Sequence, residues 1–235
     1  MDALARLAEE PDRAAVLLDV DGVLAPVVSR PQDARVPETA RAELRRLHGR
    51  YALVACISGR AGDDARRIVG VPELVYVGNH GLDLDPSADA WSERLHGFLA
   101  HETWPWTEDK GLSAAFHFRE ADDEAHARTE LERTAAHARA AGFVARFGRK
   151  VLEVVPPIKA DKGTAVAQLL SERDLRRALY AGDDTTDLDA FRVLDELELG
   201  VRVAVVSDEG PDELRRAADL VVASPAELLT VLRTL

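Results

Sequence analysis

The chain has 235 residues, 46% hydrophobic and 31% charged, which suits one large soluble domain or two small ones. Its 42 acids against 30 bases leave a formal net charge of −12, which argues against nucleic acid and anionic membrane surfaces as main partners, since both need a basic face. Cys56 is the single cysteine, so no intrachain disulfide forms; the N-terminal segment has no apolar signal core and no run approaches the ~18 apolar residues of a membrane helix, so the expected setting is the cytoplasm.

In chain order, residues 14–20 (AAVLLDV) form a short apolar run with a carboxylate near its end, the pattern of a buried strand. Residues 37–48 carry Leu and Ala at helical spacing behind Pro37, which suits a first helical position. Residues 52–57 predict a second buried strand ending at Ser58-Gly59-Arg60, 61–69 a helix, and 74–77 a third strand ending at Gly78-Asn79-His80-Gly81. This alternation predicts a parallel sheet covered by helices.

The middle of the chain changes pattern. Residues 91–106 fit a helix followed by a Trp-Pro-Trp loop, 112–119 alternate like a strand, and 121–141 form an alanine-rich, highly charged helix. Residues 143–147 and 150–155 predict a hairpin around Gly148-Arg149, so two or three antiparallel strands with one or two helices make a small α+β unit. After Pro156-Pro157 the first pattern returns: helix 161–173, strand 177–181 ending at Gly182-Asp183-Asp184, helix 186–194, strand 201–206, helix 211–217, strand 219–222 and helix 225–235. The expected organisation is a Rossmann-like α/β core, residues 1–83 and 158–235, interrupted by an α+β insertion over 84–157.

Open α/β sheets bind ligands beyond the C-terminal ends of their strands. Four such ends carry reactive groups: Asp19 and Asp21; Ser58; Asn79 and His80; Asp183 and Asp184, with Lys162 opening the helix before the last. A single strand-end carboxylate is often only a helix N-cap, but four converging groups are hard to explain structurally. Clustered carboxylates repel one another, and Mg²⁺, which prefers oxygen ligands, removes that cost. Asp19, Asp21 and Asp183 therefore make sense as a magnesium pocket. Lys162 and the ion would supply positive charge for a phosphoryl group, and the Ser58 hydroxyl would hold another oxygen.

The order Asp19-Val20-Asp21-Gly22, Ser58, Lys162, Gly182-Asp183-Asp184 resembles the four motifs of the haloacid dehalogenase (HAD) superfamily. The resemblance implies that Asp19 attacks phosphorus and forms an aspartyl phosphate, and that Asp21 is the general acid and then the base. It also implies Mg²⁺ bound by Asp19, the Asp21 carbonyl and Asp183, with Asp184 and Asp187 acting around it. The insertion between Ser58 and Lys162 implies a C2-type cap. More narrowly, eight segments in order resemble trehalose-6-phosphate phosphatases: Asp21 to Pro26, Ser58-Gly59-Arg60, Gly78 to Gly81, Asp109 to Leu112, His117-Phe118-Arg119, Lys150 to Val154, Asp161-Lys162-Gly163 and Gly182 to Phe191. That implies a sugar phosphate substrate gripped by Lys110, His117, Arg119 and Glu153, with Gly59, Arg60, Asn79 and His80 contributing from the core. Val23 and Leu188 depart from the family pattern, which usually has Thr and Glu there, and another disaccharide phosphate is the alternative substrate. A signalling receiver domain also uses an aspartate, Mg²⁺ and a lysine, but it places its acidic pair on an earlier strand than its phosphoacceptor and has no insertion.

Overall fold

Five consecutive residues with no exposed side chain, Ala14–Leu18, form the strand β1, which the helix α1 (Ala3–Glu9) precedes. A strand apolar on every residue must be covered on both faces, as parallel sheets are. The computed structural model describes residues 3–28, 30–206 and 210–235. The chain continues through α2 (Glu38–His48), the fully buried β2 (Leu53–Ile57), α3 (Gly62–Val69) and β3 (Val75–Val77). Next come α4 (Ala88–Leu99), β4 (Thr107–Asp109), β5 (Ala114–His117), α5 (Glu124–Ala140), β6 (Val144–Gly148) and β7 (Val151–Val155). It closes with α6 (Lys162–Ser171), β8 (Arg177–Gly182), α7 (Asp187–Leu194), β9 (Leu199–Val205), α8 (Asp212–Ala217), β10 (Leu220–Val222) and α9 (Pro225–Leu232).

The chain divides into two compact units, one made of Met1–Gly81 with Ala160–Leu235 and the other of Leu82–Lys159. The first holds a six-stranded sheet in the order β10-β9-β8-β1-β2-β3, every pair parallel. From β1 the chain first builds outward through β2 and β3, then returns to add β8, β9 and β10 on the other side. The reversal falls between β1 and β8, which is where an open α/β sheet leaves a crevice for ligand. Leu18 lies opposite Ala181 in register, so Asp19 and Asp183 emerge from neighbouring strands at the same edge.

The second unit is an antiparallel sheet in the order β4-β5-β7-β6. One face, carrying Ala114, Phe116, Leu152, Val154 and Ala145, packs on Ala127, Leu131, Ala135 and Ala138 of α5 and on Leu95 and Phe98 of α4. The sheet has four strands where the sequence pattern predicts two or three. The extra one, β4, is the polar triplet Thr-Glu-Asp, which has no apolar alternation and is recruited by pairing with β5.

Candidate functional site

β1 ends at Leu18, and the Asp19 N–H still donates to Ala181 of β8 at 2.9 Å. The chain then reverses tightly: Gly22 N–H donates to Ala25 at 2.8 Å, and Ala25 N–H to Val20 at 2.8 Å. Gly22 has φ +73°, and a Cβ there would overlap the Asp183 carboxylate. Only glycine lets the two strand ends approach so closely.

The Asp19 carboxylate, on a side chain 8% exposed, accepts Val20 N–H on Oδ1 at 2.7 Å and Lys162 Nζ on Oδ2 at 2.7 Å. Lys162 is the first residue of α6, a position where the helix dipole disfavours a cation. Asp161 begins that helix by accepting Thr164 N–H at 2.7 Å, while Asp161 N–H donates to Thr164 Oγ1 at 2.9 Å, a reciprocal cap. Lys162 holds its place by donating both to Asp19 and to Asp187 Oδ1, at 2.6 Å. Burial alone would lower the Lys162 pKa, but Asp19 and Asp187 together outweigh it and hold the ammonium above its ordinary value.

Asp187, fully buried at the start of α7, takes two donors on each oxygen. Oδ1 accepts Lys162 Nζ and Tyr180 Oη–H at 2.7 Å; Oδ2 accepts Asp183 N–H at 2.9 Å and Asp184 N–H at 3.0 Å. A carboxylate has about four lone-pair sites, so Asp187 is saturated and serves to orient its neighbours. Gly182 admits it, because a Cβ at 182 would collide with the Asp187 side chain.

Asp19, Asp183 and Asp187 present carboxylate oxygens within 4.8 Å of one another, a cluster that could hold a metal ion. Burial, only partly offset by Lys162, pushes Asp19 up to about 6, with Asp187 adding to the rise. Burial, then Asp19 and Asp187, pushes Asp183 up to about 8. One lysine is therefore too little positive charge for this cluster. A hard divalent cation held by the remaining carboxylate lone pairs of Asp19 and Asp183 fits an all-oxygen donor set.

Asp21 pairs with a different cation. Its two oxygens accept Arg60 Nε–H at 2.6 Å and Nη2–H at 2.8 Å, and Arg60 Nη1–H reaches Asp64 at 2.9 Å. Arg60 N–H donates to the buried Ser58 Oγ at 3.2 Å. The loop after β3 is laced to the one after β2, with Asn79 N–H on Arg60 O at 2.7 Å and His80 N–H on Ser58 O at 2.9 Å. Asn79 and His80 both have positive φ, 50° and 55°; Asn79 is buried and His80 exposed. Gly59 lets the His80 ring approach, since a Cβ there would lie 2.6 Å from Nε2. Asp184 is exposed and its Oδ1 accepts Thr185 N–H at 2.6 Å.

In the second unit, Glu108 ties together two of the sequence candidates: His117 Nε2 lies 3.1 Å and Lys110 Nζ 3.8 Å from its Oε2. Glu108, Ala115, Glu153 and Arg146 oppose one another across β4, β5, β7 and β6. Directly opposed residues share a face, so this row lies on the side away from Phe116 and Leu152. Arg119, beyond the end of β5, is exposed. Sequence reasoning missed Tyr180, hidden in an apolar strand; Glu108, in a polar triplet; and Asp64, which the i,i+4 spacing from Arg60 could have revealed.

The fold built on this six-stranded parallel sheet is similar to that of a solved HAD-like hydrolase. A haloacid dehalogenase-like hydrolase from Bacteroides thetaiotaomicron superposes with TM-score 0.58 over 94% of this chain and 98% of its own, at 14% identity. The chain belongs to the trehalose-phosphatase family, whose family model matches residues 17–109 and 105–225. Trehalose 6-phosphate phosphatase RA3 of Zea mays is 32% identical over 94% of this chain and 69% of its own length. A probable trehalose-phosphate phosphatase of Sinorhizobium fredii is 31% identical over 86% of this chain and 82% of its own. The trehalose-6-phosphate phosphatase of Aspergillus fumigatus superposes with TM-score 0.65 at 24% identity, over 99% of this chain and 96% of that one. Val23, one departure from the family pattern, is fully buried in the core, where an apolar side chain is at home. No helix among the described residues is long and apolar enough to cross a membrane.

Proposed function

We propose that the chain hydrolyses trehalose 6-phosphate to trehalose and phosphate, with Asp19 as nucleophile. The observation that carries this reading is the Asp19 carboxylate, fixed at the end of β1 by Val20 N–H and Lys162, beside Asp183. A carboxylate oxygen of Asp19 forms a bond to phosphorus as the bond from phosphorus to the sugar oxygen breaks. Asp21 gives its proton to that oxygen, and trehalose leaves. Asp21, now a carboxylate, takes a proton from a water whose oxygen attacks phosphorus; phosphate departs and Asp19 is regenerated.

Lys162 neutralises charge on the phosphoryl oxygens, and the Ser58 hydroxyl, which accepts the Arg60 N–H, keeps its own proton to donate to another. Asp187 and Tyr180 keep Lys162 in place. Mg²⁺ would be held by Asp19, Asp183 and the Asp21 backbone carbonyl, with Asp184 and Asp187 supporting it, and would supply Lewis acidity and charge neutralisation. The inserted segment, which the sequence places at 84–157, would act as a cap that reads the sugar through Lys110, His117, Arg119 and Glu153, while Gly59, Arg60, Asn79 and His80 line the core side. Core phosphate chemistry is blind to the sugar, so discrimination needs such polar groups. The test is phosphate release from trehalose 6-phosphate with Mg²⁺. Wild type turns over and Asp19→Asn, whose neutral amide cannot attack, does not; substantial turnover by that variant would sink the mechanism.

A further inference from the structure

Both oxygens of Asp21 are engaged by one guanidinium, and that guanidinium is itself held from behind. Arg60 presents Nε–H and Nη2–H to Asp21 in the two-pronged geometry that fixes the plane as well as the position of a carboxylate. Its third arm, Nη1–H, lies 2.9 Å from Asp64 Oδ2. Asp64 Oδ1 in turn accepts Arg67 Nη2–H at 2.5 Å and Nε–H at 3.2 Å. Asp64 sits in the first turn of α3, where an acid is favoured by the helix dipole. Arg60, with 15% of its side chain exposed, is the best shielded member, whereas Asp21 and Asp64 are 40% and 35% exposed. The order Arg67, Asp64, Arg60, Asp21 is therefore a series of paired side chains leading from a helix to the end of β1.

We infer that Asp64 is a positioning residue: acting through Arg60, which keeps its hold on one Asp21 oxygen while the other carries the proton, it sets the orientation of the Asp21 carboxyl toward the leaving oxygen of the substrate. The inference rests on the acid role given to Asp21 above. A guanidinium tethered at one end by Asp64 presents its fork to Asp21 in one orientation; untethered, it swings with its long side chain and carries Asp21 along. Proton delivery needs hydrogen-bond reach and alignment with the departing oxygen. Loss of the tether therefore harms substrates that need a proton to leave and spares those that do not.

The leaving-group dependence of kcat/KM reads this, because it stops at the step in which the leaving group departs. The measurement compares trehalose 6-phosphate, an alkyl ester, with p-nitrophenyl phosphate, whose leaving group departs unaided. Asp64→Ala should lower the ratio of the two kcat/KM values about tenfold, a part of the roughly 10²–10⁴-fold a general acid supplies. Asp64→Asn, which keeps an acceptor oxygen, should recover part of that loss. Adding Asp64→Ala to Arg60→Lys, whose fork is already gone, should cost nothing more. Activity toward the aryl ester reports that each variant is folded. An unchanged ratio in Asp64→Ala, or losses that add in the double variant, overturns the inference. Asp21→Asn serves as the reference: if it too leaves the ratio unchanged, the acid role itself fails, and this inference goes with it.

Discussion

Lys162 donates to Asp19 across 2.7 Å where neither side chain is more than 8% exposed, and the same ammonium donates to Asp187, which is fully buried. One cation thus serves two buried acids in the heart of the parallel-sheet unit. Breaking a buried ion pair from one side leaves the other charge uncompensated, at a cost of ~3–5 kcal/mol. Lys162→Met keeps much of the volume and removes the charge, so it should lose about that much stability in urea unfolding and lose turnover besides. A variant as stable as wild type would show that Asp19 and Asp187 find other compensation.

Gly22→Ala tests the close approach of the β1 and β8 ends. The left-handed backbone at φ +73° costs an alanine about 1–2 kcal/mol, and the new methyl would displace the Asp183 carboxylate. The Mg²⁺ concentration giving half-maximal activity should rise by ~10–100-fold, the range seen when metal-site supports are lost. If that concentration is unchanged, Asp183 is not among the metal's ligands.

The acid cluster also sets a pH dependence. Asp19 rises from 3.8 to about 6 and Asp183 from 3.8 to about 8 on folding. Between those values the folded protein holds protons that the unfolded chain has released, so these two groups contribute stability at low pH that is lost as pH rises from about 4 through about 8. Chelated protein should therefore lose more stability between pH 5 and pH 8 than Asp183→Asn does, a comparison that cancels the other titrating groups. Mg²⁺ should stabilise more at pH 8 than at pH 5, and chelation should stop turnover until Mg²⁺ is restored. Equal stabilisation at both pH values, or full activity after exhaustive chelation, would argue against the cation.

Where the chain's physics is local, the sequence discloses it. β1 and β2 are uninterrupted apolar runs, and Asp19 and Ser58 stand out because polar groups follow them abruptly. The Asp183 signal is of the same kind, a carboxylate just past Gly182. Other features depend on partners remote in the chain. Tyr180 looks like any strand tyrosine until folding sets its hydroxyl on Asp187. β4 is three polar residues whose only reason to be a strand is β5. The helix α1 has seven residues with only Leu7 buried, too short a pattern to find by periodicity. The engagement of Asp21 by Arg60 joins residues 39 positions apart; the motif shows both residues and conceals that they are paired.

Glu153 offers the sharpest test of where sugar recognition resides. It lies in β7 between Leu152 and Val154, both buried, and faces the other way, opposite Ala115 of β5 and Arg146 of β6. A carboxylate there suits sugar hydroxyls, and losing one charged hydrogen-bond partner costs about 1.5–3 kcal/mol, or roughly 10- to 100-fold in kcat/KM. Glu153→Ala should therefore impair trehalose 6-phosphate by that factor and leave p-nitrophenyl phosphate, too small to need the grip, much less affected. Glucose 6-phosphate, with one ring of the two, should be a far poorer substrate for wild type than trehalose 6-phosphate. If Glu153→Ala lowers both the disaccharide and the aryl ester equally, the residue supports the fold or the core chemistry. Recognition must then be sought at Lys110, His117 or Arg119.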